Sequence, residues 1–213
     1  MKENFGENIS QREKTLDRNR ENDSEKLGIK IELATPDDWE SCKRMRVELL
    51  SSSDASMIVN VKSEIDKKLK KEEVKKEKEW KEELSDKNKF TFLSKNGSEV
   101  IGMGRAKQKK KGTWVLYSGY IRKEFQGKGI GKRMFALRLK EIINRGGIKA
   151  MVGVRINNDK SMNIAKYFDF KTKNILSASM MAKKILLPKW KVLEADLTNP
   201  EIIKKIENVL NER

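Results

Sequence analysis

The chain has 213 residues, with 48 Lys and Arg against 32 Asp and Glu, giving a formal net charge of +16. It has no His and one cysteine, Cys42, which excludes histidine triads, imidazole proton shuttles, an intrachain disulfide framework and multi-cysteine zinc sites. The charge implies anionic partners, no apolar run approaches the ~20 residues of a membrane span, and the first ten residues carry no apolar signal core. The expectation is a soluble, cytoplasmic protein with no metal and no membrane partner.

Residues 1–27 are rich in Asn, Glu, Lys and Arg, with Phe5, Ile9 and Leu16 widely spaced, and read as a disordered or loosely helical tail. Ile29, Ile31 and Leu33 alternate with charged residues and predict a strand. Thr35, Pro36 and Asp37 signal a helix start, and a helix over 38–50 places Trp39, Cys42, Met45, Arg46 and Leu49 along one side. A loop follows at 51–56. The next segment predicts one long helix over 61–84, whose mixed Lys and Glu residues read as a solvated face.

Residues 90–93 and 100–107 predict two strands joined at Asn96 and Gly97, residue types that accept positive φ. A basic turn at 109–112 leads to a third strand over 114–121. A glycine-rich turn, Gln126, Gly127, Lys128, Gly129, Ile130 and Gly131, then opens a helix over 129–144 that Arg145, Gly146 and Gly147 end. Residues 150–154 predict a strand and 160–168 a helix opened by Asn158. Residues 179–187 predict a last strand. Beyond this body, 190–197 predict a strand. Asn199 and Pro200 start a helix with Ile202, Ile203, Ile206, Val209 and Leu210 on one side.

A strand running through glycines into a helix is an anion-binding device. The first helical N–H groups lack partners, the helix dipole adds positive potential, and glycines let the backbone approach a phosphate. Lys128, Lys132 and Arg133 surround that point. The alternative is a plain strand–turn–helix connection. The Walker spacing is absent, and Val154 and Arg155 stand where a dinucleotide fold needs an acid.

The run from Gln126 to Gly131 resembles the Gln/Arg-x-x-Gly-x-Gly/Ala signature of the GNAT-type N-acetyltransferases. Tyr120 and Ile121 resemble the end of that family's fourth strand, and 154–170 resemble the strand, asparagine and helix that complete its coenzyme site. The resemblance runs from about 29 to 187, with 27 residues from Gly131 to Asn158. It implies an α/β (α+β) fold: a central mixed, mostly antiparallel sheet, splayed between strands 4 and 5 and flanked by helices. It divides the chain into a tail (1–27), an acetyltransferase domain (28–187) and a C-terminal extension (188–213).

The resemblance also implies acetyl-CoA as donor and an amine acceptor: a protein N-terminus, a lysine or a small molecule. Ile121 would bond the pantetheine arm through its backbone. Gln126, Gly127, Lys128, Gly129, Ile130 and Gly131 would hold the phosphates with Lys132 near them. Asn158 and Ser161 would lie along the pantetheine, with simple helix capping the alternative for Asn158.

Ala165 stands where many members carry a Tyr acid, and Val115 and Gly153 stand near positions where some carry a Glu base. Tyr117 and Ser161 are the remaining catalytic candidates. Small Ser161 and Ala165 resemble the branch that acetylates protein N-termini. These departures leave a second expectation, a catalytically silent CoA- or RNA-binding scaffold or sensor. Residues 105–191 hold 23 Lys and Arg against four acids, which would suit an acidic macromolecule such as a ribosome or RNA. The chain is expected to be a monomer or homodimer.

Overall fold

The computed structural model describes residues 28–52, 62–173 and 190–212. The tail at 1–27, most of the loop expected at 51–56 and the strand expected at 179–187 lie outside the described residues.

Alternation at Ile29 and Ile31 forms β1 (Ile29–Leu33). The carboxylate of Asp38 then accepts from the Thr35 amide at 2.9 Å and hydroxyl at 3.1 Å, fixing a 3-10 turn (Pro36–Asp38) that feeds α1 (Trp39–Ser51). Cys42, Met45, Arg46, Leu49 and Leu50 form its buried side.

The single helix expected over 61–84 is instead two, α2 (Lys62–Val74) and α3 (Glu77–Ser85). Lys76 between them is extended, at φ −77° and ψ 160°, and its amide donates to Glu79 Oε2 at 2.9 Å. The break re-aims Trp80, which is fully buried among Cys42, Met45, Leu93, Val100 and Met103. Burying an indole outweighs the few tenths of a kcal/mol that each surface ion pair adds to an unbroken helix.

A meander follows: β2 (Lys89–Asn96), β3 (Glu99–Lys110) and β4 (Thr113–Ile121). Then come α4 (Ile130–Asn144), β5 (Lys149–Arg155), α5 (Asp159–Tyr167), the short β6 (Lys171–Thr172), β7 (Trp190–Asp196) and α6 (Pro200–Asn211). The seven strands form one sheet in the order β1-β2-β3-β4-β5-β7-β6. Every pair is antiparallel except β4 with β5.

That parallel pair is short. Residues 113–116 pair with 149–152, and then the strands part, while β5 stays on β7 as far as Arg155. The sheet therefore carries the V-shaped opening between its fourth and fifth strands that the resemblance implies. Helices α1 and α3 pack on one face around Trp80. Helices α4, α5 and α6 share the other face with Phe90, Trp114, Leu116 and Leu193. Asn199 caps α6 by accepting from the Glu201 amide at 3.0 Å, and Ile202, Ile206 and Val209 are buried in that same cluster.

Candidate active site

The opening begins where β4 loses β5, after Leu116. Tyr117 pairs with Arg105 and Tyr120 with Met103, so Ser118 and Gly119 together face Gly104. This is a β-bulge, and Ser118 takes the left-handed conformation at φ 52°. The bulge sends the Ser118 hydroxyl towards α1, where Arg46 Nη1 donates to it at 3.1 Å. Gly119 faces α4 instead, where a Cβ would lie 3.6 Å from Arg138 Nη2.

The end of β4 is clamped before the glycines begin. Arg122 donates to both Glu48 oxygens at 2.8 Å and also pairs with Glu99. These bonds, Glu48 first, hold the Arg122 charge more firmly than an ordinary arginine's. A 3-10 turn (Lys123–Phe125) leads into Gly127 at φ 82° and Gly129 at φ 75°. L side chains resist that region, so glycine is what lets the chain curl onto the α4 N-terminus. The amides of Lys132 and Arg133 bond to the Gly129 carbonyl, at 3.0 and 3.1 Å. The amides of Ile130 and Gly131 precede them, at the positive end of the helix dipole. A Cβ on Gly127 would meet nothing within 4 Å. The cradle is open, and a pyrophosphate fits its donors.

The side chains around the cradle are engaged. Gln126 Nε2 donates to the Ile121 carbonyl at 2.9 Å, and Lys160 Nζ donates to Gln126 Oε1 at 2.9 Å. Gln126 thus ties the end of β4 to the start of α5 across the opening, and Lys160 joins Lys128, Lys132 and Arg133 as a cation that the sequence did not single out. Lys128 lies over Phe125 at 5.1 Å, Lys132 over Tyr167 at 3.7 Å, and Arg133 donates to the Glu212 carbonyl at 3.3 Å. Asn158 Oδ1 accepts from the Ser161 amide at 3.1 Å, so Asn158 does cap α5. Ala165, in place of the family's tyrosine, is fully buried.

Beneath the bulge, on the α1 and α3 side, lies an ionic cluster that crosses five elements. Arg46 of α1 donates to Glu72 Oε1 of α2 at 3.2 Å. Glu83 of α3 pairs with Lys75 and with Arg105 of β3. The Arg105 guanidinium lies 5.2 Å from the Tyr117 ring and 5.6 Å from that of Trp80. Tyr117 therefore faces charge, not plain apolar core. Burial pushes its phenol pKa up, partly countered by Arg105. Burial opposes the Glu83 charge too, but Arg105 and Lys75 outweigh it and hold that carboxyl below the usual range.

Glu72, Lys75 and Glu83 belong to the segment read as a solvated face. They turn inward because the break at Lys76 lets α2 and α3 each pack against α1. Across the sheet, Arg138 is buried with no carboxylate within 4.0 Å among the described residues, its Nη1 only 3.4 Å from the Arg105 carbonyl. Burial alone brings its pKa down to about 10.

A family model, Acetyltransferase (GNAT) family, matches residues 57–170. The chain belongs to this family. The bulge, the parting of β4 from β5 and the glycine cradle fall within the matched span. The fold is shared by an N-acetyltransferase, PaiA, from Thermoplasma acidophilum in complex with coenzyme A: TM-score 0.60, 15% identity, covering 79% of this chain and 98% of that one. It is shared by a putative acetyltransferase, YncA, from Salmonella typhimurium with acetyl-CoA: TM-score 0.56, 14% identity, 79% and 94%. A ribosomal-protein-alanine N-acetyltransferase from Brucella melitensis gives TM-score 0.57 and 12% identity, covering 78% and 99%. No curated protein matches the sequence significantly. Among the described residues no helix is long and apolar enough to cross a membrane, and no group of three or more His, Cys, Asp or Glu is placed to hold a metal ion.

Proposed function

We propose that this GNAT protein transfers an acetyl group from acetyl-CoA directly to an amine in a ternary complex. The cradle of Gly127, Gly129 and the α4 N-terminus beside the β4–β5 opening carries the reading. In it, Gly127 to Gly131 hold the pyrophosphate with Lys128, Lys132 and Lys160 as surrounding cations. The pantetheine arm lies in the opening along Ile121 and Asn158, with Ser161 beside it. The thioester carbonyl meets the backbone of the Ser118–Gly119 bulge, where preorganised donors stabilise charge on its oxygen. Tyr117, kept protonated by burial, is a proton donor from the opposite face.

The acceptor is an amine on an acidic macromolecule or small molecule. Small residues at Ser161 and Ala165 favour a protein N-terminus. Lys107, Lys109, Lys110 and Lys111 are exposed at the β3–β4 turn, away from the cradle, and give an acidic partner such as a ribosome or RNA a place to dock. The site of action in this reading is the cytoplasm, and the acting form a monomer or homodimer. The buried Ala165 favours the second reading, a CoA-binding scaffold without turnover.

Melting with and without acetyl-CoA, followed by thiol release against polyamines, aminoglycosides and N-terminal peptides read by mass, separates the two. Transfer expects a raised melting temperature and an acetylated product. A raised melting temperature with no product from any amine leaves the scaffold.

A further inference from the structure

We propose that Glu72 is the general base that receives the acceptor's proton, an assignment that rests on the transferase reading above. An amine arrives at neutral pH largely as its ammonium, which has no lone pair to attack with. Its proton needs a carboxylate near the point where β4 leaves β5. The chain has no imidazole to take it.

Two carboxylates lie under the bulge, and their surroundings differ. Glu83 is committed: one oxygen pairs with Lys75 and the other with Arg105. Glu72 gives only Oε1 to Arg46, and Oε2 takes no bond from a described residue. The Glu72 side chain keeps 15% of its surface exposed. The same Arg46 guanidinium holds the Ser118 hydroxyl of the bulge through Nη1. Glu72 is therefore fixed two hydrogen bonds from the bulge, with one oxygen left over. Arg46 from α1 pairs with it and the Arg105 guanidinium of β3 feels its charge, while Lys75, in the break after α2, and Glu83 of α3 complete the ionic cluster.

The step balances as follows. The ammonium gives one proton to Glu72 Oε2. The neutral amine's lone pair forms the C–N bond to the acyl carbon, the C–S bond breaks with its electrons going to sulfur, and sulfur takes a proton from Tyr117, which recovers the second proton of the nitrogen. Glu72 then returns its proton to solvent. The products are the amide, the free thiol and one proton.

The test is Glu72→Gln, which keeps an acceptor oxygen for Arg46, measured against acceptors of different pKa across pH. Expected are an unchanged acetyl-CoA melting shift and a kcat lower by on the order of 10²-fold at pH 7. That deficit narrows as pH passes the acceptor's own pKa, because the free amine no longer needs the base. Glu83→Gln should show no such narrowing. Should Glu72→Gln fail to fold, Glu72→Asp, which keeps a carboxylate, should lose less than about tenfold and follow the wild-type pH trend. Activity of Glu72→Gln within about twofold of wild type, or a deficit equal at every pH, overturns the assignment alone. A wild-type protein with neither a melting shift nor thiol release overturns the transferase reading beneath it.

Discussion

Gly129 sits at φ 75° as the last residue before α4. A side chain there costs about 1–2 kcal/mol of left-handed strain, and a glutamate adds negative charge where a phosphate must rest. Gly129→Glu should therefore still unfold cooperatively but lose the acetyl-CoA melting shift. A folded variant with wild-type affinity would put the cradle elsewhere. Gly131 is the milder neighbour, since a Cβ there meets Ile164 Cδ1 at 3.5 Å, an ordinary contact. At this scale the sequence is at its most legible, because a cradle is local: glycines six and eight residues after the strand end at Ile121 mark it by themselves. Glu72 is the opposite case. Its neighbours come from 26 residues earlier and, through Arg46, from Ser118, and no spacing along the chain announces such a meeting.

Helix by helix, the misread segment is the one whose charge hid a core residue. The mixture of Lys and Glu over 61–84 satisfies an unbroken helix, and only the burial of Trp80 reveals that the chain must break at Lys76. The inward ion pairs that result have a pH signature. Glu83 has its pKa lowered in the fold, because Arg105 and Lys75 outweigh burial. Its stabilisation is thus complete above the unfolded value of ~4.3 and is lost as pH falls through the lower folded value. Glu83→Gln should cost about 1–3 kcal/mol at pH 7, between an exposed pair and a fully buried one. It should also flatten the acid limb of the melting curve below pH ~4.5. An acid limb identical to wild type would show that the pair contributes nothing.

The C-terminal helix makes a second claim at this scale. Its apolar stripe at Ile202, Ile206 and Val209 was legible from spacing alone, but its cover, the α4 side of the sheet, was not. Ile206 is only 2% exposed. Ile206→Ala should cost roughly 2–4 kcal/mol, a fall in Tm of about 5–12 °C for a chain of this size. A Tm unchanged within 1–2 °C would mean that α6 does not dock as described.

For the whole molecule, composition excludes more chemistry than any motif adds. None of the 213 residues is His, and the one thiol, Cys42, is fully buried in the α1–Trp80 cluster. Burial pushes the Cys42 thiol pKa up to about 12, so it stays protonated and unreactive at neutral pH. A covalent acetyl-enzyme thus has no reactive thiol to form on, which agrees with the proposed direct transfer from thioester to amine. Steady-state lines at varied acceptor should then intersect. Cys42→Ser should keep wild-type kcat while melting at a lower temperature, since it puts a hydroxyl into an apolar cluster. No limb near pH ~6.5 should recur across different acceptors, because no imidazole titrates. Parallel lines together with lost turnover in Cys42→Ser would overturn direct transfer, since a double-displacement route needs the very group that this fold buries.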